Sequence, residues 1–219
     1  MSKISLEPND SGAGTFSIVS PDSNTNRTLN LPDESGILFS DGSGVPGSAV
    51  TGQLASSNMP AGSVIQVVQT FITNPIVVTN TSYQDLPNFE LSITPNSQNS
   101  KMIIMVNFGG ITGGDDGNNT TTLRFTRNGN VLTTGDTVGD RSSHNTRVLG
   151  NNYSSVNHSD SSFMCDIDFP ATLNTVTYKV QNQNENGTLY VNRAQSYNDA
   201  STNWNGTSAS VFYIMEVLG

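Results

Sequence analysis

The chain has 219 residues, a formal net charge of −9 and only 12% charged residues, whereas about 25% is usual for soluble proteins. No Lys or Arg cluster could neutralise phosphates or anionic lipid headgroups, so we expect neither nucleic acid nor a membrane surface as partner. No run approaches the roughly 20 apolar residues of a membrane span, and the N-terminus lacks the apolar segment of a signal peptide.

Residues 1–40 carry three short strand signals, at 14–20, 27–31 and 36–39, separated by Pro, Asp and Asn turn residues. These strands are too short and too sparsely apolar to form a core of their own. We therefore expect this arm to intertwine with copies of itself or to dock on a partner. Disorder in solution and packing on the rest of the chain are the alternatives. The candidate anchoring residues are Phe16, Ile18, Leu29, Leu31, Pro32, Ile37 and Phe39.

Residues 41–62 are rich in Gly, Ser, Ala and Pro, a composition typical of a linker. From residue 63 to 219 about ten β-type runs follow at short spacing, with no convincing helical period. Asn128-Gly129 and Asn186-Gly187 are predicted hairpin turns, because Asn and Gly tolerate positive φ. The sequence thus predicts an all-β chain: an extended arm (1–40), a linker (41–62) and an antiparallel sandwich or jelly roll (63–219).

The alternation inside these runs predicts which faces are buried. Residues 102–106 are apolar on both faces, as in a central strand covered on two sides. Residues 209–218 are also apolar on both faces apart from Glu216, so a neighbouring subunit is expected to cover the second face. In the run 161–169, Cys165 is interpreted as a small core residue. Asp166 and Asp168 alternate with it and are assigned to a solvated face.

Polar loops containing aromatic residues are the candidate receptor-binding surface: Tyr153, Tyr197, Trp204 and Asn205. Flat aromatic faces among hydrogen-bonding side chains suit sugar rings and weak protein contacts. Trp204 has an alternative role, closing one end of the sandwich or lying in a subunit interface.

Catalytic and metal-binding patterns do not stand out. His144 and His158 lie in polar, loop-like stretches without the close spacing of zinc ligands, and are interpreted as solvated. The acidic turn at 115–119 lacks the residue order of a calcium loop. We therefore expect a protein that is not an enzyme and that has no cofactor and no metal.

The segment ISLEPNDSGAGTFSIVSPDSNTNRTLNLPDESGIL, residues 4–38, resembles a short module of structural proteins of tailed bacteriophages, particularly marine ones. The shared pattern is I-x-L-x-P-N-x-x-G-x-G-T-F-x-I-x-x-P-x-x-N-x-x-R-T-L-x-L-P-D-x-x-G-x-L. The junction MPAGSVIQVVQT, residues 59–70, is similar to the start of C-terminal domains on such fibre proteins. The final SVFYIMEVLG resembles their last strand.

The resemblance implies a virion fibre or decoration protein with an N-terminal anchor and a homotrimeric jelly-roll head of the tumour-necrosis-factor or C1q kind. Residues 1–40 would attach it to another virion structural protein of the capsid, neck or tail. The head would contact a host-surface glycan or protein. The alternative is a non-viral, lectin-like or C1q-like binding module.

Overall fold

The computed structural model describes residues 11–15, 19, 22–26, 28, 58–113, 120–141, 143–149, 159–196 and 206–219. The chain divides into two units, Met1–Gly52 and Gln53–Gly219. The predicted anchoring residues lie outside the described residues, and so do all four receptor-binding candidates. They are Phe16, Ile18, Leu29, Leu31, Pro32, Ile37 and Phe39, and Tyr153, Tyr197, Trp204 and Asn205. These assignments therefore remain predictions.

The second unit is all-β, as the sequence predicts, and its described part contains eleven strands. They are β1 (Val64–Ile72), β2 (Ile76–Val78), β3 (Gln84–Ile93), β4 (Lys101–Gly113), β5 (Thr120–Arg127), β6 (Asn130–Val131), β7 (Thr146–Leu149), β8 (Asp160–Asp168), β9 (Val176–Asn184), β10 (Leu189–Val191) and β11 (Ser210–Val217).

The strands form two antiparallel sheets. Sheet A has the order β1-β11-β4-β10-β2, and β8 also pairs with β4, along the side opposite β11. Sheet B has the order β3-β9-β5-β6, and β7 also pairs with β5. Successive long strands alternate between the sheets, because β3, β5 and β9 belong to sheet B whereas β4, β8 and β11 belong to sheet A. Most connections therefore cross from one sheet to the other.

The core lies between the sheets and is built from alternate residues of each strand. Phe89 and Phe125 from sheet B meet Phe108 and Phe212 from sheet A, with ring centroids 5.0 Å apart for Phe89–Phe108 and 6.2 Å for Phe125–Phe212. All four side chains are fully buried. Tilted aromatic pairs at such separations add stability beyond the area that they bury.

Strand β3 contains a bulge that changes its pattern of buried residues. It contains Pro87, which cannot donate to a ladder, and Asn88 has a φ of 66°. The register with β9 shifts between Asp85 and Glu90, as expected of a bulge on an edge strand. Leu86 and Phe89 are consequently both buried although they are three residues apart.

The two predicted hairpin turns differ in outcome. Asn128 and Gly129 have φ values of 49° and 83°, and they join β5 to β6 with Arg127 opposite Asn130. This prediction is confirmed. The prediction at Asn186-Gly187 is wrong, because the strands that it joins, β9 and β10, belong to different sheets. Gly187 still has a positive φ of 76°, which serves a crossing connection instead.

Candidate functional site

The outer face of sheet A is apolar across four strands. The inward residues of each strand fill the core, and the residues between them form rows across the sheet. Met105 lies opposite Cys165 and Tyr213, and Ile103 lies opposite Ile167 and Met215. On β1, Val67 lies opposite Met215 and Phe71 lies opposite Val211, whereas the polar Gln69 lies opposite Tyr213. Asn107 of β4 is a second polar position on this face, between Phe163 and Val211. We call this surface the apolar face: Val67, Phe71, Ile103, Met105, Phe163, Cys165, Ile167, Val211, Tyr213 and Met215.

No other described residue of the chain lies over the apolar face. Its edge residues Phe71 and Phe163 are 65% and 54% exposed, and the central residues Ile103, Met105 and Tyr213 are half-buried by their neighbours. Soluble monomers seldom expose an apolar surface that extends over four strands, and such surfaces mark interaction sites. The expectation that 102–106 is covered on both faces is therefore met only on the core side within one chain.

In strand β8, three apolar side chains lie on the outer face of sheet A, opposite to the side that the sequence predicts for them. Cys165, predicted to be a small core residue, is exposed on the apolar face, and the neighbouring Met164 fills the core instead. That prediction is wrong. The side chains of Phe163 and Ile167 are exposed with Cys165.

Asp166 and Asp168 of β8, predicted to be solvated, are turned toward the inside and are half-buried. Both carboxylate oxygens of Asp168 accept hydrogen bonds from Arg127 Nη1 at 2.7 and 2.8 Å. The hydroxyl of the fully buried Tyr178 donates to Asp168 Oδ2 at 2.7 Å. A buried phenol and a guanidinium thus require a carboxylate on the inner side of β8, which the alternation of the strand alone cannot reveal.

Two titratable groups of β8 have shifted pKa values. Partial desolvation by its neighbours, with a smaller contribution from the nearby Asp166 carboxylate, raises the pKa of the exposed Cys165 thiol, so the neutral thiol is favoured. Burial also raises the pKa of Asp166, and hydrogen bonds from the Ile167 amide and the Asn145 side chain offset only part of this effect. The ionised form of Asp166 is therefore disfavoured in the folded state.

The outer face of sheet B has the opposite character. Lys179 pairs with Asp85 at 3.0 Å and with Glu90 at 2.8 Å. Arg124 lies over the ring of Tyr83, 3.7 Å from its centroid. Such charged and stacked side chains are typical of a surface that faces water. One outer face of the sandwich is thus suited to solvent and the other to a partner.

A cleft on this polar face was not anticipated from the sequence. Its cavity of about 370 Å³ is lined by Thr120, Thr122, His144, Arg147, Gln183 and Glu185. His144, interpreted as a solvated loop residue, is half-buried there. In the sequence the lining residues are scattered over separate runs. The pairing of β5 with β7 and β9 brings them together, so the sequence alone does not indicate the cleft. His158 lies outside the described residues.

The described part of the chain contains no group of three or more His, Cys, Asp or Glu side chains arranged to hold a metal ion. It likewise contains no helix long and apolar enough to cross a bilayer.

Comparison of the sequence with protein-family models and with curated proteins finds no match.

Proposed function

We propose that this protein is the subunit of a short homotrimeric fibre of a virion, with a jelly-roll head of the tumour-necrosis-factor or C1q kind. The alternation of successive long strands between the two sheets supports the jelly roll, since crossing connections of this type characterise that architecture. The orders β1-β11-β4-β8 and β3-β9-β5-β7 follow from the strand pairings.

The observation that carries the proposal is the apolar face. Ten side chains on four adjacent strands have no other described residue over them, while Asp166 and Asp168 of β8 point inward. A second and a third copy would remove this surface from water, and apolar burial is the dominant favourable term in association. The apolar face would thus act as the assembly surface of the head.

Three copies around one axis suit the distribution of this surface. The apolar residues extend to both edges of the β8-β4-β11-β1 array, with Phe163 on β8 and Phe71 on β1. A ring of subunits uses two different surfaces of each copy, one for each neighbour. An isologous dimer would instead use a single self-complementary surface.

The role on the particle rests on the resemblance of residues 4–38 and 59–70 to bacteriophage fibre proteins. Residues 1–40 would attach the fibre to another structural protein of the virion. The head would project outward with the polar face of sheet B toward the host surface, where it would contact glycans or proteins.

The mass in solution tests the assembly, because three chains of 23.3 kDa give about 70 kDa. Sedimentation equilibrium of the full chain should return that mass, and an antibody to the head should label intact phage particles by electron microscopy. A monomer of 23.3 kDa would refute the assembly. A trimer that labels no particle would refute the virion role and favour the non-viral, lectin-like or C1q-like module.

A further inference from the structure

The cleft on the outer face of sheet B is enclosed by polar side chains from neighbouring strands. Thr120 and Thr122 belong to β5, Arg147 to β7 and Gln183 to β9. His144 and Glu185 lie just before β7 and just after β9. The cavity of about 370 Å³ falls at the lower end of the range of roughly 300–1,000 Å³ found for small-molecule sites. Its walls stand on paired strands, so the lining is held by the sheet.

The cleft contains hydrogen-bonding capacity that the protein does not use. His144 Nδ1 is buried and has no hydrogen-bond partner in the structure. Arg147 donates from Nη2 to the neutral hydroxyl of Thr120 at 3.2 Å, and within the described ranges it forms no ion pair. Gln183 uses its amide nitrogen on the carbonyl of Thr81 at 3.1 Å, which leaves Oε1 available as an acceptor. A buried polar atom without a partner is costly unless a ligand satisfies it.

Donors and acceptors are thus both present, and the two opposite charges of the cleft are not paired with each other. Among the described residues, Glu185 is held through its backbone amide, which donates to the carbonyl of Thr120 at 2.8 Å. A carboxylate and a guanidinium held apart in one small cleft suit a ligand whose groups both donate and accept. Adjacent hydroxyls of a sugar ring have this property, because each hydroxyl donates one hydrogen bond and accepts others.

We propose that this cleft binds one neutral hexopyranose unit of a surface glycan. The proposal deepens the adhesive role proposed above and rests on it, because the trimer would leave sheet B facing outward. A neutral sugar is favoured over an acidic one, since the chain has a net charge of −9 and Glu185 lines the cleft.

The affinity of one cleft should be low, because no aromatic side chain is among its described lining residues. Tyr83 donates its hydroxyl to the lining residue Thr122 at 3.0 Å, but its ring is stacked with Arg124. Recognition would depend on hydrogen bonds, which give a dissociation constant in the millimolar range for one unit. Three clefts on one trimer would raise the apparent affinity for a dense glycan layer by avidity.

Saturation-transfer NMR on the full-length protein tests the proposal, with the methyl glycosides of glucose, galactose, mannose and N-acetylglucosamine as probes. Glucuronate is the charged comparison. Arg147→Met and Glu185→Gln change the cleft, whereas Arg141→Met and Asp140→Asn make the same charge changes at exposed positions that do not line it. At least one neutral glycoside should bind and should bind more tightly than glucuronate. Each cleft variant should weaken that binding by about tenfold or more, since a hydrogen bond to a charged group is lost.

Binding by both control variants should equal that of the unmodified protein. The proposal would be overturned by the absence of binding for every neutral glycoside, by tighter binding of glucuronate, or by unchanged binding in both cleft variants. The mass of each sample, measured by sedimentation, separates the two proposals. A protein of about 70 kDa that binds no sugar refutes the cleft and leaves the assembly standing, whereas a monomer refutes the assembly itself.

Discussion

Replacing Met105 with glutamate tests the apolar face at its centre. Four of its side chains, Val67, Phe71, Phe163 and Ile167, are 55%, 65%, 54% and 50% exposed in one chain. Full burial of such a side chain stabilises by about 1.5–3 kcal/mol, so covering the exposed half contributes about 1 kcal/mol each. The four together contribute about 4 kcal/mol per subunit, before the half-buried residues are counted.

A glutamate at position 105 would lie between Cys165 and Tyr213 in the middle of this surface. Burying a carboxylate without a partner costs several kcal/mol, which matches or exceeds that gain. The variant should therefore dissociate at micromolar concentration, and the mass from sedimentation velocity should fall from about 70 kDa to 23.3 kDa. Position 105 faces away from the core, so the circular-dichroism spectrum should remain that of the folded sandwich.

Ser92→Glu is the matched control, because Ser92 is exposed on sheet B, the sheet proposed to face water. It should remain a trimer. The reasoning would be refuted by a Met105→Glu protein that keeps the trimer mass, or by a Ser92→Glu protein that dissociates to the same extent.

Four further changes test the interior. Tyr178→Phe should lower the free energy of unfolding by about 1.5–3 kcal/mol in urea titrations, because a hydrogen bond to a carboxylate is lost, and Asp168→Asn should lower it further. Asp166→Asn should raise the melting temperature at neutral pH, because burial raises the pKa of Asp166. The protonated form of Asp166 favours the folded state. Its contribution to the free energy of unfolding is complete below the unfolded-state pKa of about 3.8 and is lost as the pH rises through the raised folded-state pKa. The gain should therefore vanish in acid. Asn192→Ala should lower the melting temperature by about 4–12 °C, since the carbonyls of Ile72 and Asn74 and the buried Ser210 hydroxyl lose a hydrogen-bond partner.

Each of these predictions has a result that would contradict it. Equal stability of Tyr178→Phe and the unmodified protein would mean that the phenol is not bound to Asp168 in solution. An Asp166→Asn gain that persists in acid would exclude ionisation as its cause, and Asp160→Asn, at an exposed position of the same strand, should show no gain at any pH. An unchanged melting temperature in Asn192→Ala would show that water replaces the buried amide without loss.

The strands with simple alternation were predictable from the sequence. In β5, Leu123 and Phe125 are buried and Thr122 and Arg124 face outward, as their order indicates. The hairpin at Asn128-Gly129 was predictable too, because only the backbone conformation of two adjacent residues decides it.

The features that the sequence did not predict depend on contacts between strands that are distant in the sequence. Strand β7 does not stand out in the sequence, because its four residues follow a polar loop and are stabilised by pairing with β5. The direction of β8 could not be read from its alternation, since apolar and acidic residues alternate equally well with either side inward. What decides it is Tyr178 and Arg127, which lie on other strands and require Asp168.

The rate at which Cys165 reacts with a maleimide is the most direct measure of whether the apolar face is covered. The thiol is exposed in a single chain, and a neighbouring subunit would cover it in the proposed trimer. The native protein should react at least about tenfold more slowly than the Met105→Glu variant, because access then requires the subunits to separate. Equal rates in the two proteins would show that this surface is open to solvent and would contradict the account.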